Sequence, residues 1–145
     1  MNQNDTTEFE PPAGWSVGSN IDTFSHAAGP FYFRDDGKAA GVGFLSQERH
    51  RNVEGVVHGG MLMTLADIAM FVIYFHEYGM RRAVTISMTS DFLKPAPIGE
   101  FITATGEVVK TGRRMVFVRG LISAAQKDLM HFSGSLAFVD EAARG

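Results

Sequence analysis

The chain has 145 residues, 45% of them hydrophobic, which is enough for one domain with its own core and too little for two. A formal net charge of -3, a pI near 5.9 and no long run of like charges exclude a surface built for nucleic acid or for an anionic membrane. The absence of Cys removes thiol nucleophiles, disulfides and cysteine-ligated metals together, and it fits a cytoplasmic protein.

Residues 1–12 are polar and acidic, without a basic region or an apolar stretch, so neither a signal nor a transit peptide is expected, only a loose tail. Residues 14–29 hold Trp15, Phe24 and His26 among small polar residues and show no sustained period, which makes them an irregular or briefly helical lead-in. The expected division is therefore tail and lead-in over 1–29 and a single domain over 30–145. Two strand-like runs, 31–34 and 39–45, flank Asp35-Asp36-Gly37-Lys38, and Asp-Gly between such runs predicts a hairpin. After a polar loop over 47–57, Gly59 and Gly60 open a long helix and Gly79 closes it. Its apolar run, 61–75, is shorter than the roughly 20 residues of a membrane span and carries Asp67 at its centre, so it reads as a buried core helix.

From Ala83 the hydrophobic period changes to two. Val84, Ile86 and Met88 alternate with Thr85, Ser87 and Thr89, which puts Thr85 on an outward face. Runs over 101–110, 115–124 and 129–139 repeat the pattern, and the short links between successive runs predict neighbouring antiparallel strands. In all, five to six strands accompany one helix. A helix of about 18 residues is roughly 27 Å long, and a ten-residue strand spans roughly 33 Å. The lengths suit a twisted sheet curled about the helix, with the side left bare available to a second copy.

Asp67 is the residue to explain, because a carboxylate inside an apolar helix loses hydration without an evident partner. The Gly59 and Gly60 amides stand at the helix N-terminus, where free N–H groups and the helix dipole favour an oxyanion forming on a carbonyl. Asp67 lies eight residues beyond Gly59, roughly 12 Å along a helix, so the two groups of one chain cannot reach the same carbonyl. Two chains with antiparallel helices side by side would bring them together in two equal sites.

Asn52, Gly55, His58-Gly59-Gly60 and Leu65-Ala66-Asp67, followed by a Thr- and Ser-rich strand ending in Lys94-Pro95-Ala96, carry a resemblance. Over about residues 30–139 the chain resembles the hot-dog-fold acyl-CoA thioesterases, in the phenylacetic-acid-degradation (PaaI-like) branch with its mammalian relative, thioesterase superfamily member 2. The resemblance implies an α+β hot-dog fold, a homodimer that forms the site and pairs into a homotetramer, and acyl-CoA as substrate. It implies no metal and no cofactor beyond the coenzyme A of the substrate. Carried over by position, the Gly59 N–H would polarise the thioester carbonyl. Asp67 from the other chain would be general base or nucleophile. Asn52 would orient water or substrate, His58 would brace the loop, and Thr85 matches a hydroxyl that holds the water. Gly60, Lys94, Arg113 and Arg114 are the candidates to meet coenzyme A. Helix residues Met63, Met70 and Phe71 would line a pocket for a medium-chain or aryl acyl group.

Each residue also has a purely structural reading. Asp67 alone could be a carboxylate held by a hydroxyl, the Gly pair a tight helix entry, Asn52 a turn residue and Arg113-Arg114 a solvated turn. His76-Glu77 lacks the second His that a zinc helix needs. Two other functions compete with hydrolysis: a non-catalytic acyl-CoA or small-ligand binder on the same scaffold, and an acyl-thioester hydratase or dehydratase. The second would need a catalytic His near Pro-rich sequence, which is missing.

Overall fold

A computed structural model describes residues 8–19 and 22–139. The elements in order are β1 (Trp15–Val17), α1 (Thr23–Ala28), β2 (Tyr32–Arg34), β3 (Gly41–Leu45), α2 (Gly59–Tyr78), β4 (Ala83–Phe92), β5 (Phe101–Thr111), β6 (Met115–Ala124) and β7 (Lys127–Phe138). One antiparallel sheet, ordered β1-β2-β3-β5-β6-β7-β4, curls round α2. This is the hot-dog arrangement, with seven strands rather than the expected five to six. The extra strand is β1, in the lead-in, where three residues are too few to show a period.

Helix α2 forms where the periodicity places it. His58, in an extended conformation, caps its first turn through its own ring, and Gly79 closes it at φ 80°, a left-handed conformation that suits glycine. Its 20 residues exceed the 61–75 apolar run and reach membrane-span length, but the helix packs as the core of the sheet. Leu62, Leu65, Ala66, Ala69, Met70 and Ile73 form the buried face against Phe44, Ile102, Val118, Ile122 and Leu136. Burying one such aliphatic side chain stabilises by about 1.5–3 kcal/mol. The opposite stripe, Met63, Thr64, Asp67, Ile68, Phe71, Val72 and Phe75, is only half-buried, because the sheet of a single chain covers one side of the helix.

The hairpin forms as expected, with Tyr32 opposite Gly43 and Phe33 opposite Val42. The tail is not loose from Phe9 onward: its ring packs on Tyr32 and Phe101, with centroids 5.6 and 5.8 Å away.

Two expectations about the later strands fail. Strand β4 does not neighbour β5. It lies at the sheet edge beside β7, and 93–100 crosses back to set β5 between β3 and β6. Pro95 and Pro97 lack the N–H groups of a tight hairpin, and the link is tied to the loop before α2 instead, with Val57 N–H donating to the Ala96 carbonyl at 2.9 Å and the Ser46 hydroxyl donating to the Pro97 carbonyl at 2.8 Å. The strict alternation in β4 also breaks. A bulge between Thr85 and Ser87 shifts the register, and an extra residue reverses which side chains face inward. Thr85 pairs with the fully buried Leu136 and faces α2, and beyond the bulge Met88 and Ser90 face inward in place of Ser87 and Thr89.

Candidate active site

Asp67 stands on the half-buried stripe of α2 rather than deep in the core. Thr85, turned inward by the bulge, donates its hydroxyl hydrogen to Asp67 Oδ1 at 2.7 Å. That leaves Oδ2 free to take a proton from a ligand or a water. The pairing answers how a carboxylate sits in this helix, and it corrects the outward placement of Thr85. A Thr85→Val variant is expected to fold and to lose between about tenfold and a hundredfold in kcat, since a hydrogen bond to a charged group contributes about 1.5–3 kcal/mol. Thr85→Ser should recover most of that rate, which steady-state assays would check.

The amides form a second group, at the N-terminus of α2. His58 Nδ1 accepts the Gly60 N–H at 2.8 Å, so the Gly60 amide is already used and His58 is a capping residue. The Gly59 N–H meets no acceptor among the described residues and is the free donor of the pair. The Phe92 ring lies over it, 3.3 Å from where a Cβ would sit, so a small residue keeps this approach open.

Asn52 belongs to the loop leading into α2. Its side-chain oxygen accepts the Glu54 and Val56 N–H groups at 2.9 and 3.2 Å. Two backbone donors fix the amide's orientation, which leaves the Asn52 NH2 as a donor toward a ligand. Within one chain, Asp67 with Thr85 and Gly59 with Asn52 remain two separate groups.

The same loop is anchored by His50, which is buried. Its Nδ1 accepts the Gln47 N–H at 2.9 Å, so Nε2 carries the proton and donates to the Ala28 carbonyl at 2.7 Å, tying α1 to the loop. Burial above all, helped by the nearby Arg49 charge and opposed by the Ala28 bond, holds this imidazole below its ordinary 6.5. A folded-state value below the unfolded one means that protons bind preferentially to the unfolded chain. Stability should therefore be full above about pH 6.5 and fall as the pH drops below it. The N-cap Asp22 and the turn residue Asp36, whose ordinary value is 3.8, add their losses only at lower pH. Urea midpoints measured between about pH 8 and pH 5 would check this, with the His50→Gln variant losing the slope.

A cavity of about 770 Å³ opens on the Asp67 side of α2. Met63, Ile68, Phe71, Val72 and Phe75 of the helix form one wall, and Phe24, Phe31 and Phe33 form another. Met63 and Phe71 line it as expected, whereas Met70 does not. Met70 lies on the buried face at its border with the open stripe and faces the sheet, fully buried against Gly134. The wall from α1 was not foreseen. Its one sequence signal is Asp22 followed three residues on by Ser25, the N-cap whose carboxylate accepts the Ser25 N–H at 2.9 Å.

Of the cations expected to meet coenzyme A, Lys94 follows the end of β4 nearest the N-terminus of α2, while Arg113 and Arg114 occupy the β5–β6 turn at the opposite end of the sheet. They do not come together in one chain.

The sequence profile of the thioesterase superfamily matches residues 54–131, just over half the chain, from the loop before α2 into β7. The chain belongs to the thioesterase superfamily. Within it, the chain is 32% identical over 108 residues to a Pseudomonas aeruginosa protein of the esterase class by name, covering 73% of the chain and 81% of that protein. It is 36% identical over 78 residues to the acyl-coenzyme A thioesterase PaaI of Escherichia coli, covering 53% of the chain and 54% of PaaI. The solved structure of E. coli PaaI superposes with a TM-score of 0.73 at 27% identity, over 82% of this chain and 86% of that one. The chain is thus PaaI-like in sequence and in fold.

Proposed function

We propose that this protein hydrolyses acyl-CoA thioesters to the free acid and coenzyme A, at sites built by two chains. The observation that carries the reading is the pairing of Asp67 with Thr85 on an edge strand whose far end reaches Gly59. Among the described residues strand β4 has β7 on one side and nothing on the other, and Val84 and Ile86 on it are 50% and 57% exposed. An open, apolar edge of this length favours another strand. If two β4 strands pair antiparallel about a two-fold axis at Met88 or Thr89, Thr85 of one chain comes beside residues 91–93 of the other. Asp67 then faces the partner's Gly59, as the distance along the helix requires.

In that arrangement the partner's Gly59 N–H, at a helix N-terminus, stabilises negative charge on the thioester oxygen. Asp67, held through Oδ1 by Thr85, takes a proton from water through Oδ2 while the water oxygen bonds to the acyl carbon. The C–S bond breaks as the tetrahedral centre collapses, and the sulfur leaves as a thiolate. A thiol titrates near 8.5, so departure needs no strong acid, and none is present beside Asp67. The aromatic cavity supports a medium-chain or aryl acyl group. Pairing of dimers into a homotetramer is the form that the family resemblance favours.

A panel of acyl-CoAs assayed for thiol release tests the activity. Turnover should be fastest on medium-chain or aryl thioesters, and no turnover on any of them rejects the hydrolase reading. Sedimentation of the pure protein tests the assembly, and a monomer would exclude the shared site.

A further inference from the structure

Helix α1 presents an aromatic ring that its own folding does not need. It buries Ser25, while Phe24 stays 66% exposed at the edge of the Asp67 cavity. A single exposed apolar residue is ordinary. The position of this one is not, because Phe24 and Thr64 line two hollows at once: the aromatic cavity of about 770 Å³ that holds Asp67, and a second of about 470 Å³ beside His58, Gly60 and Met61. The two side chains are therefore the partition between the hollows. Thr64 is its helix half, three residues and roughly 4.5 Å before Asp67. Its hydroxyl hydrogen is donated to the Gly60 carbonyl at 3.0 Å, so its polar end is satisfied within α2. Phe24 is the larger half and comes from outside the helix.

The partition is also held from behind. Asp22 caps the start of α1, accepting the Ser25 N–H and hydroxyl hydrogen at 2.9 and 2.8 Å. At the other end of α1, the Ala28 carbonyl accepts from His50 Nε2 at 2.7 Å, and the Ala27 carbonyl accepts from the Arg49 guanidinium. Both anchors belong to the loop that leads into α2, so α1 is tied to the start of the helix whose cavity it walls. Behind the ring, Ala27, Ala28 and Met61 give the second hollow apolar surface that an acyl tail could bury if the ring were absent.

We propose that Phe24 sets the upper size of the acyl group by closing the aromatic cavity at its Thr64 end, a reading that rests on acyl thioesters as substrates. The residue lies well before 54–131, the part matched by the superfamily profile. Asp67 and Gly59 lie inside that part, so the lead-in chooses the acyl group and the conserved body of the fold holds the reacting groups. Removing the ring joins the two hollows, and a larger ring in its place narrows the first.

Two ladders of chain length on the full chain test this. The first is kcat/KM for saturated acyl-CoAs of about six to about sixteen carbons, and the second is the calorimetric affinity for the matching free carboxylic acids. In wild type both should rise with length and then turn over once the tail fills the cavity. In Phe24→Ala the turning point should move to longer chains, each newly buried methylene contributing about fourfold. Phe24→Trp should move it to shorter ones. Thermal melting and sedimentation of each variant check its fold and its assembly. A turning point shared by all three proteins overturns the proposal, as does a profile that changes only together with the sedimentation, since Phe24 would then be a contact between chains. Should wild type hydrolyse no thioester, the hydrolase reading fails on its own and the acid ladder still decides the partition. A cut-off that moves with residue 24 supports it, whereas a fixed cut-off, or no binding of any acid, overturns it.

Discussion

Replacing Asp67 by Asn is expected to lower kcat for acyl-CoA hydrolysis by about a thousandfold, within the range typical of a lost general base, while KM changes little. Asn is nearly isosteric and its carbonyl can still accept the Thr85 hydroxyl hydrogen, so the 2.7 Å contact that positions the side chain survives. What disappears is the basic oxygen. A drop in kcat without a matching rise in KM is the mark of an interaction made mainly in the transition state. Thiol release on the fastest substrate of the panel measures it, alongside a urea titration to show that stability is retained. A rate within a few-fold of wild type would remove Asp67 from the chemistry and leave the structural reading of a carboxylate held by a hydroxyl. A single turnover in 18O-labelled water adds a second check: a general base puts the label into the acid at once, whereas attack by the carboxylate itself delivers an unlabelled oxygen first.

The features that could be read along the chain are those set by local chemistry. The Gly pair, the apolar run and Gly79 bound α2 closely, because helix entry, burial and exit each have a residue signature. Period-two alternation located β4 to β7 to within a few residues. It could not show the bulge after Thr85, since an inserted residue leaves the composition of both faces similar while reversing which one is buried. The order of β4 and β5 was equally illegible, because pairing depends on where the Pro-rich link docks, and Ser46 and Val57, which hold it, lie far earlier in the chain. In the site, Asp67 and Gly59 stood out as a charge and a donor out of place in an apolar segment. The α1 wall did not, for it meets the helix only once the lead-in is folded beside it. Sequence spacing along one helix nevertheless pointed to a second chain, and the proposed pairing would use the exposed edge of β4.

Mixing two inactive variants is expected to restore activity. Gly59→Pro removes only the amide hydrogen in question: the first position of a helix has no intrahelical use for it, and proline is well tolerated there. The preceding residue must be extended, and His58 already is, at φ -58° and ψ 133°. A Cβ added at residue 59 meets only the side chain of Phe92, which is 55% exposed and free to turn away. Loss of one oxyanion donor should cost about a hundredfold to a thousandfold in kcat. The second variant, Asp67→Ala, lacks the base. A dimer of either variant with itself has no intact site. A mixed dimer has one site missing both groups and one site with a wild-type Asp67 facing a wild-type Gly59. With random pairing, half the dimers are mixed and half of their sites are whole, so about a quarter of the wild-type rate should return. Co-expression with two different affinity tags isolates the mixed species, whose rate should be about half of wild type. A purified mixed dimer as inactive as its parents would overturn the two-chain site.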